Sequence, residues 1–228
     1  NDDDGRFAGA DGIGARAGFV RGTPAQGRRR HPARQSEHER VGEYPLHPIL
    51  ERFGLRRVLA TTMQGLSGAG RAGGVLGLDI VDNLIPYIPK EEEKVAREAG
   101  KILGRLREGG IVPHPAPVGA TCTRAAINDG HTAAVTVETE RPCTAEEVAA
   151  VLREFRGDYA GMSLPTAPER PIAVHDDPFR PQPRLDRDAG GGMVTSVGRV
   201  RPEPALPNGI KFVSLSPPPR TSSAPAST

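Results

Sequence analysis

The short run 128-NDG-130 constrains this chain most. Asn and Asp tolerate left-handed backbone and Gly adopts it freely, so the three together are strong turn chemistry. The turn ends an extended run at Arg124 and presents His131 at the start of the next, 132-TAAVTVET-139, whose β-branched alternation reads as a strand. It also sets an Arg and a His seven residues apart. An anion-binding group and a proton-transfer group would then point into one cleft. On this stretch alone, a solvated Arg and a His beside a turn are the ordinary reading.

The elements around that turn alternate. The run 45-PLHPILERFG-54 reads as a short helix ending at Gly54, 57-RVLATTMQ-64 as a strand, and 67-SGAGRAGG-74 as a glycine loop. The spacing predicts an amphipathic helix over 91–106, with Val95, Ile102 and Leu103 on one face and three acids complementing its N-terminal dipole. A second helix is predicted over 144–155, where Thr144 as N-cap and Glu147 at the third position form a capping box. The run 210-IKFVSLS-216 closes as a strand. Strands interspersed with separate helices point to an α+β fold, a mixed or antiparallel sheet with helices covering one face.

Composition bounds how much of the chain takes part. Hydrophobics at 36%, aromatics at 4% and no Trp are thin for 228 residues, and 28 Gly with 23 Pro imply much loop. Residues 1–44 show neither helical nor strand periodicity and read as low-complexity or misframed, because Arg dominates and only four of the 30 basic residues are Lys. Residues 217–228 form a Pro/Ser/Ala tail of disordered composition. The folding portion is therefore 45–216. A net charge of +2 without a long basic block argues against nucleic acid. No apolar run reaches membrane-spanning length and no signal-peptide core is visible, so a soluble cytoplasmic protein is expected. Cys122 and Cys143 make neither a metal spacing nor a disulfide framework.

The runs 61-TTMQGLSGAG-70, 79-DIVDNLIPYIPKEEEKV-95 and 121-TCTRAAINDGHT-132, in that order, resemble aspartate-semialdehyde dehydrogenase. The run 180-RPQPRLDRDAGGGMVTSVGRVRP-202 is similar to the branch found in archaea and fungi. The resemblance spans 45–216 and implies the catalytic and dimerisation domain of a homodimer or homotetramer, which in the family follows a Rossmann domain. It implies NADPH-dependent reductive dephosphorylation of β-aspartyl phosphate to the semialdehyde, a step toward lysine, threonine and methionine. By that resemblance Arg124 forks onto the substrate α-carboxylate, for which a planar guanidinium is suited. Glu91 pairs with the α-amino group, and Lys94, on the same helical face, holds the phosphate. His131 is the general acid/base and Gln64 orients the reacting centre. Ser67 and Gly68 touch NADP. Taken singly, EEEK at a helix start is more often a solvated dipole complement, and a glycine loop cradles phosphate only where its N–H groups converge.

The departures are as specific. Where the family has its nucleophilic Cys in an Asn-rich turn, this chain has 35-QSEHERVGEY-44. Cys122 falls in a strand-like run and Cys143 beside a helix cap, so neither is the nucleophile. After 210–216 the family continues into a helix that touches the cofactor, whereas this chain runs into PPPRTSS. Both ends read as a frameshifted or truncated coding sequence, and the chain as an incomplete, inactive fragment. Two alternatives stand beside this reading: a non-catalytic dimerisation module, and another acyl-phosphate reductase of the superfamily. The Glu91/Arg124 pair, suited to a free amino acid, argues against the last.

Overall fold

The computed structural model describes residues 43–72, 77–157, 159–160 and 167–217. The proposed disordered or misframed ends therefore lie, almost entirely, outside the described residues. Helix α1 (Glu43–Phe53) leads into β1 (Arg57–Gln64) and a 3-10 turn (Leu66–Ala72). Helix α2 (Glu91–Ile102) precedes a small hairpin, β2 (Arg105–Arg107) and β3 (Gly110–Val112), and then β4 (Val118–Arg124) and β5 (His131–Glu138). Helix α3 (Ala145–Glu154), β6 (Ile172–His175) and the one-turn α4 (Pro183–Asp186) come next, and β7 (Thr195–Pro202) and β8 (Gly209–Ser216) close the fold.

Six strands form one mixed sheet in the order β4-β1-β5-β8-β7-β6. The two outer pairs, β1–β4 and β6–β7, are parallel, and the inner pairs are antiparallel. The Asn-Asp-Gly turn therefore does not make a hairpin. β1 lies between the two strands that the turn connects, and the turn's carbonyls at Ile127 and Asn128 accept from the amides of Leu66 and Ser67.

Period-two alternation sorts the strand residues between the two faces. One face carries Val58, Ala133, Val135, Val137, Ile210 and Phe212, and the helices cover it. Leu46, Ile49, Leu50 and Phe53, at helical spacing, bring α1 onto that core; Val148 and Leu152 bring α3 beside it. The other face is open over β4-β1-β5, where Leu59 is 49% exposed and Thr61, Thr121 and Ala134 are exposed too. Farther along it is crossed by the chain near Arg180, whose carbonyl oxygen would lie 2.2 Å from a Cβ placed on Gly198.

The local structure departs from the expected elements at two places. α1 begins at Glu43 rather than Pro45, because Tyr44 packs edge-on against Phe155 with ring centroids 6.0 Å apart. The helix predicted to reach 106 stops at Ile102. Its last turn packs Leu103 into the core, and at Gly104, where a Cβ would fall 2.4 Å from the Val112 carbonyl oxygen, the chain turns into β2. The capping box at Thr144 is present in both directions: the Glu147 amide donates to Oγ1 at 3.2 Å and the Thr144 amide donates to Oε2 of Glu147 at 2.8 Å.

Candidate active site

The strand register puts three of the sequence-predicted residues in one row. Gln64, at the end of β1, is flanked by Arg124 on β4 and His131 on β5, and Ser216 on β8 continues the line. Residues so aligned share a face of the sheet, here the helix-covered one. All four are buried.

The turn after β1 closes over this row. The amide of Gly65 donates to Nδ1 of His131 at 3.1 Å, and Nη1 of Arg124 donates to the Gly65 carbonyl at 2.8 Å. An imidazole whose Nδ1 accepts carries its proton, when neutral, on Nε2. A Cβ built on Gly68 would fall 3.3 Å from both that Nε2 and Nη1 of Arg124. The two tips therefore lie within twice that distance of one another, close enough to hold two ends of one small molecule. Burial holds the Arg124 pKa below its ordinary value, and the nearby Glu91 carboxylate offsets part of that fall.

Glu91 reaches this place because the segment before α2 is stapled to the edge of β4. Arg124 and Ile85 exchange backbone hydrogen bonds at 2.8 and 3.1 Å, and the Cys122 amide donates to Oε1 of Glu92 at 3.0 Å. Glu91 is the first residue of the helix and buried; Lys94 lies one turn on, half-buried. Gln64 donates to Thr62 Oγ1 at 3.4 Å, and its Oε1 is buried without a hydrogen-bond partner among the described residues.

Ser67 is exposed, and the amides of Gly65, Leu66 and Ser67 are all engaged by the 127–130 turn or by His131. Those three amides donate within the protein and so do not themselves converge on a ligand. Gly68 faces Arg124 and His131 instead.

Ser216, Glu92 and Ile85 were missed by sequence reasoning. Ser216 has the right strand parity, but only the β5–β8 register, which no local pattern encodes, brings it beside His131.

Residues 46–217 match the family described as semialdehyde dehydrogenase, dimerisation domain. The chain belongs to that family. Relatives named aspartate-semialdehyde dehydrogenase include one from Methanothermobacter thermautotrophicus, 42% identical over 168 residues, and one from Saccharomyces cerevisiae, 42% identical over 180 residues. These alignments cover 74% and 75% of this chain but 48% and 49% of the relatives, so the chain spans about half their length. The semialdehyde dehydrogenase domain also superposes on solved structures. The Candida albicans aspartate semialdehyde dehydrogenase with NADP gives a TM-score of 0.68 at 40% identity, covering 76% of this chain and 48% of that one. A Vibrio cholerae aspartate semialdehyde dehydrogenase II complexed with ASA gives 0.60 at 28% identity, covering 76% and 52%.

Neither cysteine of this semialdehyde dehydrogenase domain is placed as a nucleophile. Cys122 shares the face of the row two residues before Arg124, yet it is fully buried. Burial pushes its thiol pKa up, a hydrogen bond from Thr62 pulls it down, and Glu91, Glu92 and Glu93 raise it further. Cys143 lies 3.6 Å from Thr139 Oγ1, and burial raises its pKa as well. Thiols held protonated do not attack acyl groups.

Proposed function

We propose that this chain is the substrate-binding and pairing half of an aspartate-semialdehyde dehydrogenase, and that the 228-residue chain does not turn over unaided. The observation that carries the reading is the single point, a Cβ position on Gly68, from which Arg124 and His131 are equally near. An amino-acid acyl phosphate has an α-carboxylate, an α-amino group and a phosphoryl group a few bonds apart. Arg124 takes the carboxylate through two parallel N–H···O bonds. Glu91, buried beside it, balances the ammonium, and Lys94 one helical turn on meets the phosphate.

His131 donates from Nε2 to an oxygen developing negative charge at the acyl carbon. Its orientation is fixed from behind by the Gly65 amide. Gln64 supplies amide contacts at the centre of the row. The nucleophile that this arrangement serves has to come from outside the two cysteines described, and without a thiolate no acyl-enzyme forms. The open face of β4-β1-β5, with Leu59 near its middle, is the surface on which a second copy docks.

The test pairs calorimetry with an optical assay. L-aspartate, which keeps the α-carboxylate and α-amino group, is expected to bind weakly. NADPH absorbance with β-aspartyl phosphate is expected to stay flat at enzyme concentrations near those of substrate. Turnover above background that disappears in His131→Ala would overturn the inactivity, and absence of any aspartate binding would overturn the residue roles.

A further inference from the structure

We propose that the cleft between α3, β6 and β7 binds a small oxyanion, a carboxylate or a phosphate, at a site separate from Arg124 and His131. The cleft has a volume of about 350 Å³ and is lined by four basic side chains, Arg153, His175, Arg199 and Arg201, against two acids, Glu146 and Asp176. Asp176 is already committed to an ion pair with Arg153. Arg199 and Arg201 form no ion pair among the described residues. Glu203, which feels the charge of Arg201, is itself held by Lys211 at 2.6 Å. His175 faces Asp186 at 3.6 Å, so the cleft's surplus positive charge is that of Arg199 and Arg201 against Glu146, which forms no ion pair among the described residues.

The backbone shows that this placement is imposed. The β7–β8 register shifts between Gly198 and Arg201, a bulge, and within it Arg199 has φ 56. A bulge re-aims a side chain out of the ladder. A left-handed backbone is unfavourable for a long side chain and costs Gly nothing. Arg201 donates from Nη1 to the backbone carbonyl of Arg199 at 3.0 Å, which ties the Arg201 side chain to the bulge. A non-glycine residue held in left-handed backbone is an outlier of the kind that clusters at ligand clamps.

The site is remote from the row. Arg201 pairs with Lys211, while His131 pairs with Ser216 on the same strand. Five residues of strand separate the two rows, roughly 17 Å at about 3.4 Å per residue. The cleft therefore owes nothing to the roles proposed for Arg124 and His131.

The experiment is an amide-resolved NMR titration of the full chain at constant ionic strength, with inorganic phosphate in one arm, succinate in a second and chloride as control. Saturable shifts at Val174, Gly198 and Val200, beyond those with chloride, are expected in at least one arm, and the stronger arm identifies the headgroup. Shifts confined to Gly68, His131 and their neighbours would overturn the proposal, since the anion would then occupy the other cleft. Arg199→Gly relieves the left-handed strain, so its Tm is expected to stay level or rise while affinity falls about tenfold, the scale of one charge-assisted contact. Arg201→Gln is expected to weaken binding similarly. If Arg199→Gly lowers Tm and leaves binding unchanged, Arg199 is a structural residue and the proposal fails.

Discussion

At Gly68 a methyl group would fall 3.0 Å from His131 Cε1 and 3.3 Å from Arg124 Nη1, so the absence of a side chain lets the turn close over both without displacing either. Gly68→Ala is expected to leave the fold intact, because the nearest atoms belong to side-chain ends, while pushing the imidazole and the guanidinium apart by a few tenths of an ångström. Catalytic and binding geometry is sensitive at that scale, and L-aspartate affinity should drop about tenfold with little change in Tm. Arg124→Lys removes the planar fork while keeping the charge. Calorimetry should show a loss of about 1.5–3 kcal/mol in aspartate binding, the usual weight of hydrogen bonds to a charged group. An unchanged affinity in Arg124→Lys would mean that the carboxylate is held elsewhere.

Elements whose signals are local were legible in the sequence, and those set by distant partners were not. The N-terminus of α3 was readable because Thr144 and Glu147 satisfy each other's amides within four residues. Thr144→Ala should cost about 1 kcal/mol, seen as a Tm lower by roughly 2–4 °C for a domain of this size, with aspartate binding unchanged. The ends of β4 and β5 at Arg124 and His131 were readable from the turn chemistry between them. The C-terminus of α2 was overrun, because Leu103 continues the apolar stripe and only the Val112 carbonyl packed on Gly104 shows that the chain must turn. β6 and β7 went unassigned among the prolines, glycines and arginines of 171–202. The resemblance named Gln64, Arg124 and His131, but their alignment depends on β1 lying between β4 and β5, a crossover that no local pattern announces. Glu92 and Ile85, which staple α2 to the sheet edge, carried no signal at all.

Across the whole molecule, the segment that crosses the far face is held by one buried carboxylate. Asp186 accepts from Arg180 Nε at 2.8 Å and from the Gln182 amide at 2.6 Å, and His175 Nε2 lies 3.6 Å away. Burial alone would raise its pKa, but these partners outweigh burial and hold it below the usual carboxylate value. A group whose pKa is depressed on folding stabilises the native state above its unfolded pKa, and that contribution is lost as pH falls through the folded value. The stability gap between the native chain and Asp186→Asn, followed by denaturant melts, should therefore be constant near neutrality and shrink below about pH 4. A gap independent of pH in that range would rule out the charged network.

The alternation of β1 gives the sheet two jobs at once. Val58, Thr62 and Gln64 face the helices and the row, while Leu59 and Thr61 face the open surface. A slip of one residue in β1 exchanges the two sets. Such a chain would bury Leu59 against α1 and turn Gln64 outward, spoiling the proposed ligand cleft and the proposed pairing surface together. On the pairing proposed above, self-association acts as an inspection step: a copy that can pair has, by the same geometry, its cleft residues pointing inward. Inserting one residue after Leu59 puts Leu59 and Gln64 on one face of β1, so either aspartate binding or dimer sedimentation should be lost, and retention of both would break the link.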